Sequence, residues 1–88
     1  MDTVHIEFFV EPFNEGSPGP HVEAAVAAFS DLGLETEVGP FATSASGDSE
    51  RIAQATAVMV REALMAGATR IALRLERRPD TQPASAGT

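Results

Sequence analysis

The sequence predicts an α+β domain whose elements run β-α-β-β-α-β, four antiparallel strands with two helices on one face. Three observations predict it. Residues 3–11 alternate between apolar and polar with a period of two, the signature of a strand with one buried face. Two later stretches carry apolar residues at helical spacing. Each of those stretches ends at a glycine and is followed by a further alternating run. The chain therefore divides into two similar β-α-β halves, the split βαβ or ferredoxin-like plan. Right-handed crossovers give such a sheet the spatial order 4-1-3-2 and leave its other face uncovered.

In the first strand Val4, Ile6, Phe8 and Val10 share one face, and His5, Glu7, Phe9 and Glu11 share the other. Pro12 ends it, and the Pro- and Gly-containing stretch to Gly19 is a loop. Ser17 and Pro18 suit the cap and first turn of a helix. That helix spans about 20–32, with Val22, Val26 and Phe29 as its apolar stripe and Gly33 as its left-handed stop. A second strand follows, with Leu34, Thr36 and Val38 inward and Glu35 and Glu37 outward. Gly39-Pro40 breaks it, and residues 41–46 form a short third strand that turns Ala42, Ser44 and Ser46 outward. Gly47-Asp48-Ser49 opens a second helix reaching about Ala66, with Ile52, Thr56, Met59, Val60, Ala63 and Leu64 facing in and Gly67 closing it. Met59 and Met65 read as packing residues. The last strand, 70–77, points Ile71, Leu73 and Leu75 inward and Arg70, Arg74 and Glu76 outward. One domain over residues 1–78 is expected, with 79–88 as a disordered tail that has no apolar anchor.

Length and charge narrow the functional classes. A chain of 88 residues buries only roughly 60–65% of its unfolded surface, so one small core is all it supports. A net charge of −7 argues against nucleic acid, which needs a basic stripe. The charges fall in two blocks: all ten from Asp2 to Glu50 are acidic, whereas from Arg51 onward six arginines face three acids, with no lysine anywhere. Such a chain is suited either to pairing with its own copies or to presenting an acidic groove to a cation. No cysteine is present, no apolar run approaches a membrane span, and the N-terminus lacks a signal-peptide pattern, so a cytoplasmic protein is expected.

Catalytic signatures are missing. His5 and His21 stand far apart, with no carboxylate at a metal-ligand spacing, and there is neither a cysteine nucleophile nor a GxSxG elbow. No cofactor or metal is expected. His21, in the first turn of a helix, reads as a surface residue, and Ser44, Ser46 and Ser49 around Gly47 read as turn and capping chemistry or as an anion cradle. Phe9, centred on an uncovered face, points to burial by another subunit.

The run Ile6-Glu7-Phe8-Phe9-Val10-Glu11-Pro12 resembles the first strand of the thiamine-binding-protein family, the YkoF-like superfamily. Residues 39–47 are similar to that family's Pro-Met-Gly-Thr…Glu-Gly hairpin, and residues 73–78 to its closing strand. Glu7, Pro12, Pro40, Thr43, Gly47 and Arg78 match position by position. Ala42 stands where the family has Gly, and Ser46 where it has an acidic residue. The resemblance implies a non-catalytic module that assembles through its sheets into homodimers or homotetramers and binds thiamine or its hydroxymethylpyrimidine part. In such a site, formed where subunits meet, Glu7 supplies charge, Phe9 or Phe41 a ring, and Thr43, Ser44 and Ser46 hydrogen bonds. The alternative is a structural or regulatory homo-oligomer without a small ligand.

Overall fold

The computed structural model describes residues 2–12, 19–39 and 42–79. Strand β1 (Asp2–Glu11), helix α1 (Pro20–Ser30), strands β2 (Glu35–Val38) and β3 (Thr43–Gly47), helix α2 (Ser49–Met65) and strand β4 (Arg70–Pro79) follow in the expected order. They build one antiparallel sheet ordered β2-β3-β1-β4, the 4-1-3-2 arrangement of the ferredoxin-like plan. β1 is an interior strand and pairs with β4 from Asp2 opposite Pro79 to Glu11 opposite Arg70. Among the described residues, no helix is long and apolar enough to cross a membrane.

The core lies between the helices and one face of the sheet. Ile6, Phe8, Phe29, Ile52 and Met59 are almost entirely excluded from solvent. The rings of Phe8 and Phe29 stack with centroids 5.1 Å apart and planes 22° from parallel, tying α1 to the sheet. α1 also packs along α2, and the buried alanines Ala25, Ala28, Ala55 and Ala63 keep side-chain bulk from separating the two helices.

Both helices close by the same device. The amide of Gly33 donates to the Ser30 carbonyl and that of Leu34 to Phe29. At the end of α2, Gly67 donates to Leu64 and Ala68 to Ala63. These are paired Schellman closures with glycine in the left-handed position, and each is sealed by a buried residue, Leu34 or Ala68. Gly67 has φ +114° and no atom within 4 Å of where a Cβ would stand. Gly67→Ala should therefore cost only the backbone term, about 1–2 kcal/mol in urea unfolding, with no further loss from steric overlap.

Several residues sit differently from the sequence expectation. α1 is capped by Gly19, with Pro20 in its first turn; Ser17, Pro18, Phe41 and residues 80–88 lie outside the described residues. β4 continues to Pro79, so the first position of the expected tail still pairs within the sheet. His21 is buried, and its Nε2–H donates to the Pro12 carbonyl beneath the helix start. Thr56 turns its hydroxyl back to the Ile52 carbonyl at 2.7 Å, and Ala55 takes the buried position beside it. Met65 is exposed at the helix end, as is Val38 at the end of an edge strand. Leu73 and Leu75 do face the helical side, opposite Phe8 and Ile6. They nevertheless remain 42% and 49% exposed, and Leu64 remains 51% exposed, because α2 lies over β1 and β3 and leaves β4 uncovered.

Candidate ligand-binding site on the open sheet face

Side chains alternate across a pleated sheet, so the polar half of every strand meets on the face opposite the helices. Strand register decides which of them become neighbours. One cross-strand row reads Glu35, Ser46, His5, Glu76, and the next reads Glu37, Ser44, Glu7, Arg74. Toward the β2 edge these rows form an open basin of about 440 Å³ lined by His5, Glu35, Thr36, Glu37, Ser44, Ala45 and Ser46. His5 Nδ1 and Ser46 Oγ share a hydrogen bond of 3.0 Å across its floor.

The charges on this face fall into two groups. Glu7 accepts a hydrogen bond from Arg74 Nη2 at 3.0 Å, and Arg70 Nη1 lies 3.9 Å from Glu11. Part of the basic edge is thus answered by β1 of the same chain. Glu35 and Glu37 have no ion-pair partner among the described residues. The basin therefore carries two uncompensated carboxylates beside two serine hydroxyls and an imidazole. That set accepts hydrogen bonds and attracts a cation.

Of the residues expected to form a site, Glu7, Phe9, Ser44 and Ser46 share the open face, and the two serines line the basin. Phe9 is 44% exposed and stands two residues along β1 from Glu7. Thr43 is buried opposite Phe8, on the helical side, and does not join them. His5, Glu35 and Glu37 are basin walls that the motif comparison left out. Alternation had put all three on this face, but their convergence depends on register. Glu76 lies opposite His5, but its carboxylate accepts from Arg78 at 3.4 Å, so among the described residues no acid is hydrogen-bonded to His5 as in a nucleophilic relay. Among the described residues no three His, Cys, Asp or Glu side chains converge as a metal would require. Asp48 lies away from the basin and caps α2. Its carboxylate accepts from the Arg51 side chain at 2.8 Å and the Arg51 amide at 3.1 Å, which holds it below the usual carboxylate range.

Fold and face together define a small single-sheet ferredoxin-like domain with an acidic, hydroxyl-lined recess on its uncovered side. The chain belongs to the thiamine-binding protein family, whose family model matches residues 6–87. No curated protein matches it. Among solved structures it is similar to a protein of Thermotoga maritima proposed to serve thiamine biosynthesis or salvage. The identity is 27% over 86% of this chain and 82% of that one, with a TM-score of 0.63. A domain of unknown function from Bacillus cereus is similar at 22% identity, over 90% of this chain and 79% of that one, with a TM-score of 0.65. A hypothetical protein from Methanocaldococcus jannascii is similar at 23% identity, over 91% and 84%, with a TM-score of 0.66. At these identities the last two likenesses establish the fold alone.

Proposed function

We propose that the chain is a non-catalytic module that binds thiamine, or its hydroxymethylpyrimidine part, in the open-face basin, with a second subunit completing the walls. The observation that carries this reading is the pair of uncompensated carboxylates, Glu35 and Glu37, flanking Ser44 and Ser46. Thiamine offers a thiazolium cation and an aminopyrimidine, and the basin supplies negative charge and acceptors for both. Membership of the thiamine-binding family supports the ligand class. Ser46 stands where the family has an acidic residue, yet register puts Glu35 directly opposite Ser46, so a carboxylate is still available one strand away. Phe9, half out of the sheet, is a ring on which a pyrimidine stacks or against which a second copy closes.

Calorimetry of the full chain with thiamine and with the free pyrimidine tests the reading. Thiamine should give heat, and at a hundredfold excess over Kd it should stabilise the fold by about 2.7 kcal/mol in a thermal-shift assay. Millimolar thiamine and pyrimidine that both give neither heat nor shift would reject it. The exposed Phe9 would then favour a structural homo-oligomer without a small ligand.

A further inference from the structure

We infer that the open-face basin sorts its ligand by charge, taking the free alcohol and rejecting the phosphate ester of the same compound. The inference rests on the reading of the basin as a thiamine site and adds which chemical state of that ligand it holds.

Thiamine and its pyrimidine part each end in a primary alcohol, and each can carry a phosphate there. The rings are the same in both states. What changes is charge. A phosphate monoester adds about −1.5 to −2 at pH 7, which gives the thiamine cation a net negative charge and makes the neutral pyrimidine an anion. A pocket shaped only for the rings cannot tell the two states apart; a fixed field at the site can.

The open face carries such a field. Strand register places on it the acids Glu7, Glu11, Glu35, Glu37 and Glu76 and the cations Arg70, Arg74 and Arg78. Each of these arginines is answered on the same face: Arg74 by Glu7 at 3.0 Å, Arg78 by Glu76 at 3.4 Å and Arg70 by Glu11 at 3.9 Å. The excess is the pair of carboxylates on the basin wall, Glu35 and Glu37, one residue apart on β2. The three arginines belong to β4, which lies three strand spacings, about 14 Å, from β2. That exceeds the Debye length of about 8 Å at physiological salt, so they offset little of the field in the basin. A second copy closing over the basin brings the same balance, because its arginines are answered in the same way.

Among the described residues, nothing around the basin anchors an anion. Its lining holds no Lys or Arg. α2 begins beside the end of β3, where free amides could hold a phosphate, but the Asp48 carboxylate already accepts from the Arg51 amide there. α1 carries Glu23 in its own first turn. The hydroxyls of Ser44 and Ser46 and the imidazole of His5 bond to an alcohol or to a phosphate oxygen alike, so they favour neither state. A phosphate carried into the basin meets two like charges and no cation.

Calorimetry of the full chain with thiamine, its O-acetyl ester and its monophosphate separates charge from bulk. In dilute buffer the acetyl ester should bind within about threefold of thiamine, and the monophosphate about tenfold or more weaker than either. Raising the salt to about 0.5 M should narrow that gap, and Glu37→Lys should narrow it to within about threefold. A monophosphate that binds as well as thiamine overturns the proposal and leaves the thiamine reading standing. So does an acetyl ester rejected as strongly as the phosphate, or a gap that Glu37→Lys leaves unchanged. If neither thiamine nor the pyrimidine binds, the thiamine reading itself is overturned and this inference falls with it.

Discussion

Phe29→Ala should remove about 3–5 kcal/mol of stability, a large part of the total for a domain of this size. Phe29 is fully buried, stacks on Phe8, and offers its carbonyl to the closure of its own helix. Truncation leaves a hole between α1 and the sheet that neighbouring alanines are too small to fill. A chain of 88 residues holds roughly 0.05–0.15 kcal/mol per residue, about 4–13 kcal/mol in all, so the variant should unfold at a much lower urea concentration. Urea denaturation followed by circular dichroism measures it, with Phe9→Ala as the comparison. Phe9 is 44% exposed, and its loss should cost under about 1 kcal/mol in the isolated subunit. Equal losses at the two phenylalanines would contradict the placement of the core.

Replacing Glu35 and Glu37 together by glutamine should reduce thiamine affinity by about a hundredfold. Hydrogen bonds to a charged group contribute about 1.5–3 kcal/mol when well formed, and exposure lowers that figure, so roughly tenfold per carboxylate is expected. Glu7→Gln should change affinity by less than about threefold, because Arg74 already takes up that carboxylate at 3.0 Å. Raising the salt should weaken the wild type and leave the double variant nearly unchanged, since the charges concerned are solvent-facing. Calorimetry on the three proteins decides between them. If Glu7→Gln proves the more damaging change, the ligand sits nearer the centre of the sheet than the basin does.

These two expectations drew on different amounts of information from the chain. The alternation of Val4, Ile6, Phe8 and Val10, and the glycines at 33 and 67, were enough to give the element order, the sheet order and the buried face. Each is a local signal whose physics acts within a few residues. Leu64, Leu73 and Leu75 obey the same periodicity and are nevertheless exposed. Periodicity tells which face a residue is on; whether anything covers that face depends on where α2 crosses the sheet. His21 was hidden for a similar reason, because its partner is a carbonyl nine residues earlier, brought near only by the fold. The basin required register. Parity alone put Glu35, Glu37, Ser44, Ser46, His5 and Glu7 on one face, and only the pairing of β2 with β3, β3 with β1 and β1 with β4 shows that Glu7 answers to Arg74 while Glu35 and Glu37 meet no cation among the described residues.

The first strand of the sheet in chain order is completed by the fourth. β1 runs inside the sheet with β4 along one side, Asp2 standing opposite Pro79. A ribosome releases a chain from its N-terminus at roughly 5–20 residues per second. For several seconds β1 is therefore outside the exit tunnel with an open flank and a row of Val, Ile and Phe side chains to shelter. The sheet closes only once the arginine-rich β4 has emerged, so the most apolar strand is held in waiting until then. Acidic residues set among those side chains, Glu7 and Glu11 on the strand and Glu23 soon after, give the nascent segment a negative charge that discourages neighbouring nascent chains from pairing with it before β4 arrives.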